Sequence, residues 1–168
     1  VLAGYGIPIT ETRIARTARQ MGIATVAIYS DADRDSVHVA ACDDAVPLGG
    51  LAAADSYLRI DKLLAAARSA GADAIHPGYG FLSENAEFAA AVTAAGLVFV
   101  GPPSAAIDAM GDKARARQRM AAAGIAVVQG YDGDDQDPTI LQHEADRIGY
   151  PVMVKAAAGG GGRGMRLV

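Results

Sequence analysis

Lys155 followed by Gly159-Gly160-Gly161-Gly162-Arg163-Gly164 is a combination of residue types suited to an anion. Glycines lack a Cβ, so successive backbone N–H groups can close around anionic oxygens, and a lysine at the mouth of such a loop adds a compact positive charge. Apolar runs at 152–154 and 165–168 flank the loop and read as buried strands, whereas a plain flexible linker would be polar on both sides. No Gly-Lys-Ser or Gly-Lys-Thr ending is present and no helical pattern follows, so this is not a Walker-type loop. Strand, lysine, glycines and second strand predict a β-hairpin flap over the phosphates of ATP.

A second loop, HPGYGFLSEN from His76 to Asn85, leaves the carboxyl end of a predicted strand at 74–75. Open α/β sheets place their ligand crevices at that edge. Gly78 and Gly80 let the backbone approach a bound group, and Tyr79 offers a ring and a hydroxyl. The plainer account is a strand-to-helix turn with Ser83 as N-cap and Glu84 and Glu87 in the first turn, and both can hold together. His76 beside Pro77 reads as a hydrogen-bonded structural residue. A Gly4-x-Gly6 pair follows the first strand, but Ile9 stands where a dinucleotide fingerprint needs its third glycine, and Asp31 and Asp33 fit an ordinary loop. His38 and Cys42, at i and i+4, are too few for a zinc site, and no metal site is read in the chain.

The elements that must position these loops alternate. A strand at 1–3 is followed by a helix at 10–21, capped by Thr10 and ended by Gly22, with Ile14, Ala18 and Met21 on one face and Arg13, Arg16 and Gln20 on another. Strands at 25–29, 45–48 and 97–100, a polar loop at 30–36, and helices at 37–41, 60–69 and 83–94 complete a first unit that closes near Gly101-Pro102-Pro103, and a brief helix at 104–110 bridges to Gly111-Asp112-Lys113. Asp112 caps a further helix ending at Ala123, and 130–138, with four aspartates and two glycines in nine residues, reads as a solvated turn or mobile loop. Such alternation predicts right-handed crossovers and a parallel sheet.

The 168 residues, 51% of them apolar, suffice for one domain and the start of another. A net charge of −4 and a pI near 5.2 argue against a nucleic-acid binder and against attraction to anionic membranes. Cys42 is the one cysteine, which excludes an internal disulfide framework, and with no signal-type or long apolar segment the sequence reads as cytoplasmic.

In order, the segments YSDADRD (Tyr29 to Asp35), AIHPGYGFLSEN (Ala74 to Asn85), FVGP (Phe99 to Pro102), MGDK (Met110 to Lys113), IGYP (Ile148 to Pro151) and KAAAGGGGRGM (Lys155 to Met165) resemble the amino-terminal part of biotin carboxylase. That family is the ATP-grasp component of biotin-dependent acyl-CoA, pyruvate and urea carboxylases. The resemblance implies a Rossmann-like pre-ATP-grasp domain over residues 1–110 and an incomplete ATP-grasp portion over 111–168. It implies ATP contacts from Lys113, Lys155 and the loop Gly159, Gly160, Gly161, Gly162, Arg163 and Gly164. Tyr79 and Gly80 would lie near the biotin and bicarbonate pocket.

The implied reaction joins ATP and bicarbonate to give carboxyphosphate, then carboxylates biotin on a carrier protein, with Mg2+ bridging the phosphates. The implied partners are a biotin carboxyl carrier protein or domain and a carboxyltransferase component; a homo-oligomer formed through the arginine-bearing 11–21 helix region is expected as well. The family's adenine-binding segment, its magnesium ligands and the residues that handle bicarbonate fall beyond Val168, so the chain alone is expected to be inactive. One departure is local: the family's Ala-Asn-Arg-Gly-Glu-Ile-Ala gives way here to Gly4-Tyr5-Gly6-Ile7-Pro8-Ile9-Thr10. Two alternatives are a non-catalytic interaction module and another ATP-grasp ligase.

Overall fold

The computed structural model describes residues 2–3, 8–156 and 164–168. Its contacts divide the chain into two compact units, one ending at Ile107 and the other starting at Asp108.

The first unit is built on strands β1 (Leu2–Ala3), β2 (Val26–Tyr29), β3 (Asp44–Pro47), β4 (Ala74–His76) and β5 (Val98–Phe99), in the order β3-β2-β1-β4-β5. Every neighbouring pair is parallel, with Leu2 opposite both Val26 and Ile75. The α/β parallel-sheet expectation therefore holds. Between the strands run α1 (Pro8–Gln20), α2 (Val37–Ala41), α3 (Ile60–Ser69) and α4 (Ala86–Ala94). Ile28 and Ile75 meet Leu63 of α3 and Phe88 and Val92 of α4 in one apolar core, all nearly inaccessible to water. Phe88 and Phe99 stack edge to face, 5.9 Å between centroids.

The chain moves outward from β1 through β2 to β3, then crosses back to β4. The change of direction lies between β1 and β4, the point at which doubly wound sheets open a crevice. The segments leaving those two strands are 4–7, outside the described residues, and the Tyr79 loop.

Helix α1 corrects the sequence reading. It begins at Pro8 rather than being capped by Thr10, and it ends before Met21, which is 68% exposed. Among the α1 residues whose burial is described, Thr12, Ala15 and Ala18 are the buried positions. Small side chains let α1 approach its neighbours closely, a criterion that ranking by hydrophobicity overlooks. Arg13 and Arg16 are exposed, and Arg19 pairs with Asp43 at 3.0 Å.

Helix α4 corrects it again, because Asn85 and not Ser83 is the N-cap. The Asn85 side chain accepts the Phe88 N–H at 2.7 Å. Asn85→Ala should lower stability by about 1 kcal/mol, the usual value of such a cap, and Ser83→Ala by less than half of that. Urea denaturation of the two variants separates the assignments.

The second unit continues from α5 (Ser104–Gly111), which spans the division, into α6 (Lys113–Ala122), α7 (Pro138–Ile148), β6 (Met153–Val154) and β7 (Arg166–Leu167). Asp112 caps α6 as expected, accepting the Arg115 N–H at 3.0 Å. Helix α7 was not anticipated, although Asp137 caps it through the Thr139 N–H and Pro138 opens it. The acidic segment before it is largely exposed, but Asp132 is held by an ion pair with Arg117 and by a hydrogen bond from Gln118 to its carbonyl.

Strands β6 and β7 form an antiparallel hairpin, with Met153 opposite Leu167 and Val154 opposite Arg166, and Val152 and Val168 exchange two further backbone hydrogen bonds. Its expected burial is wrong. Met153, Val154, Leu167 and Val168 are 44% to 68% exposed, because a ribbon of two strands has no further layer to cover its apolar side chains.

Candidate functional site

Lys155 is the first residue after β6, exposed, at the point where the hairpin opens into the glycine run. Gly159, Gly160, Gly161, Gly162 and Arg163 lie outside the described residues. Gly164, where the chain returns, has φ +73°, a left-handed conformation that strains any residue with a Cβ. Lys113 is the first residue of α6 and is exposed. A cation in the first turn gains nothing from the helix dipole, which favours negative charge there. An anion would be favoured by both the lysine and the helix terminus.

In the first unit, the loop after β4 turns through Gly78 (φ +69°), Gly80 (φ +87°) and Phe81 (φ +42°). Two glycines and one strained aromatic residue bring the backbone to the surface and leave Tyr79 68% exposed. His76 is structural: its Nδ1 accepts the Gly78 N–H at 3.1 Å, and burial pushes its pKa down, so the ring is neutral at neutral pH. His38 is more deeply buried than the half-buried His76, with Nε2 3.1 Å from the Ile28 carbonyl. Burial also pushes the Cys42 thiol up, away from reactivity. Among the described residues, no group of His, Cys, Asp and Glu is gathered to hold a metal ion.

The residue that sequence reasoning missed is Tyr57. Its hydroxyl donates to Asp33 Oδ2 at 2.5 Å and accepts the buried Ser30 N–H at 2.9 Å, while Ser30 Oγ donates to the same Asp33 oxygen at 2.6 Å. No periodicity marks a tyrosine in a connecting segment, so nothing in the sequence pointed to it. Burial, reinforced by the Asp33 carboxylate, raises the phenol from 10.0 to about 12. The folded state therefore favours the neutral hydroxyl, and that stabilisation is complete below pH 10.0 and lost as pH rises through about 12. The difference in phenolate absorbance between the wild-type chain and Tyr57→Phe should rise near pH 12; a difference centred at 10 would remove this account.

The family described as biotin carboxylase, N-terminal domain, matches residues 9–107, and the carbamoyl-phosphate synthase L chain ATP-binding domain matches 112–168. The methylcrotonoyl-CoA carboxylase subunit alpha of Glycine max, a mitochondrial protein, is 56% identical over 156 residues, covering 93% of this chain and 21% of its own length. A Campylobacter jejuni biotin carboxylase solved as a β,γ-ATP complex superposes with a TM-score of 0.90 at 43% identity, over 99% of this chain and 37% of that one. The biotin carboxylase domain dimer of Hydrogenobacter thermophilus 2-oxoglutarate carboxylase, solved with MgADP, ADP and bicarbonate, gives 0.88 at 42%, over 99% and 36%. The chain thus spans about a fifth of the length of the curated relative and just over a third of the two solved chains.

Proposed function

We propose, from the premise that this chain belongs to the biotin carboxylase family, that it forms one wall of the site of an ATP-dependent ligase that carboxylates biotin with bicarbonate. The observation that carries the reading is the hairpin: a lysine at the end of one strand, a glycine run, and a partner strand re-entered through a left-handed glycine. Residues 1–110 would be the pre-ATP-grasp domain and 111–168 the opening of the ATP-grasp domain.

In this reading Lys113 and Lys155 contribute positive charge to the ATP phosphates, and Gly159, Gly160, Gly161, Gly162 and Gly164 would supply backbone N–H donors without a Cβ in the way, with Arg163 among them. Phosphoryl transfer leaves little covalent work for the protein, so positioned charge of this kind is the main contribution a wall can make. Magnesium, when bound, would offset the charge of the phosphates; no group of residues among those described is gathered to hold it. Tyr79 and Gly80, at the switch point of the sheet, would face biotin and bicarbonate, and the neutral His76 would fix their loop rather than move a proton.

A carrier protein or domain bearing biotin, a carboxyltransferase component, and a second copy met through α1 are the partners the reading supports; exposed Arg13 and Arg16 suit such a contact. The cytoplasm is the compartment proposed, on the single cysteine. No helix among the described residues is long and apolar enough to cross a membrane.

The test compares the chain alone with a graft in which its 168 residues replace the matching segment of the Campylobacter jejuni biotin carboxylase. The graft should release phosphate from ATP in a manner that needs bicarbonate and rises with biotin, and the chain alone should not. A folded graft without that dependence overturns the proposal.

A further inference from the structure

We propose that Tyr57 is a positioning residue that ties the loop carrying Tyr79 and Gly80 to the loop after β2. The two loops leave strands that are not neighbours, since β1 separates β2 from β4 in the sheet. No strand-to-strand hydrogen bond can therefore fix one against the other. Tyr57, itself only 6% exposed, reaches both.

Its hydroxyl is held by Asp33 and by the Ser30 N–H. Its ring lies against Phe81, 5.8 Å between centroids and inclined at 33°. Phe81 is the residue that most needs holding. A bulky side chain at φ +42° occupies a sparsely populated conformation that persists only where its surroundings enforce it. Phe81 adjoins Gly80 and stands two positions from Tyr79, so the ring that pins Phe81 also sets how those two residues are presented.

The loop after β2 is a firm anchor. Asp31 exchanges hydrogen bonds with Gly50 in both directions, its N–H donating to the Gly50 carbonyl and its carboxylate accepting the Gly50 N–H. Lys62 then donates to the carbonyls of Leu48 and Asp55, closing the segment that leads to Tyr57. The Tyr79 loop is thus braced against two other loops at the carboxyl edge of the sheet, with the Tyr57–Phe81 ring contact joining them.

The relevance of this brace to biotin rests on the functional reading above, whereas its existence does not, and the experiment keeps the two apart. Hydrogen exchange of the 168-residue chain reports the brace at three amides. Ser30 is bonded to the Tyr57 hydroxyl, Gly78 to His76 Nδ1, and Ser83 to the Gly80 carbonyl. Tyr57→Phe should speed exchange at Ser30 and leave Gly78 and Ser83 as they were, because the ring remains. Tyr57→Leu should speed all three, and Phe81→Leu only Gly78 and Ser83, by roughly three- to tenfold, the range an aromatic pair supports. Ile28 in β2 should be unchanged throughout. Unaltered Gly78 and Ser83 in both leucine variants, or a uniform rise that includes Ile28, overturns the inference. If exchange follows the stated pattern and Tyr57→Leu leaves the KM for biotin of the graft unmoved, Tyr57 keeps its positioning role and the biotin reading of the loop is what fails.

Discussion

Phe88→Ala should destabilise the first unit by about 3–5 kcal/mol, the usual cost of removing a buried aromatic side chain. Phe88 is 1% exposed and sits among Ile28, Leu63, Ile75 and Val92, so the space it vacates has walls on every side and cannot collapse onto solvent. The edge-to-face contact with Phe99 is lost as well. Domains of this size are stable by only about 5–15 kcal/mol in total, so the variant would be close to unfolding. The consequence reaches the site without touching it: Phe88 is in the first turn of α4, directly after the Tyr79 loop, and its amide is the one that Asn85 caps. A urea midpoint that falls with an unchanged slope would confirm loss of packing, and a shift equivalent to less than about 1 kcal/mol would mean that α4 is not held as described.

Lys155→Met should do the reverse, leaving the fold alone and removing catalysis. The side chain is exposed and methionine keeps most of its aliphatic stem, so stability should change by no more than about 0.5 kcal/mol. In the graft, deleting one preorganised charge at the phosphates should cost on the order of 2–4 kcal/mol of transition-state stabilisation, or about 30- to 1000-fold in rate. A fall in kcat and kcat/KM together assigns the lysine to the transition state, whereas a rise in the KM for ATP alone assigns it to binding. Lys155→Arg keeps the charge but replaces a compact ammonium by a planar fork, so only partial recovery is expected. Unchanged activity in a folded variant would remove Lys155 from the phosphate site.

Much of the scaffold was legible in the sequence, because alternating strands and helices in this order admit few topologies. The run 25–29, β-branched and apolar, became β2, and Asp112 declared its helix. Apolar character proved a poor guide to burial where tertiary partners decide it. Met21 and the hairpin valines are apolar and exposed, while Thr12, Ala15 and Ala18 carry the contact surface of α1 because they are small. Helix α7 has its start signal in Asp137-Pro138 and helical spacing in Ile140, Leu141, Ala145 and Ile148, but the acidic, glycine-bearing run before it carries the stronger loop signal. Ser83 and Asn85 suit an N-cap equally by residue type, and the hydrogen bond from the Phe88 N–H decides for Asn85. Of the candidate site, Lys155, Tyr79 and Gly80 could be singled out from local chemistry, since glycines at a strand end let the backbone approach a bound group. Tyr57 could not, since its role exists only once three distant loops meet.

The central claim, that these residues form a working wall of a biotin-carboxylating site, is tested most directly by following carbon from labelled bicarbonate in the graft with the Campylobacter jejuni enzyme. Label should appear on free biotin only when ATP is present, and Lys155→Met should reduce it by the factor given above. A folded graft that binds ATP yet leaves biotin unlabelled would contradict the account.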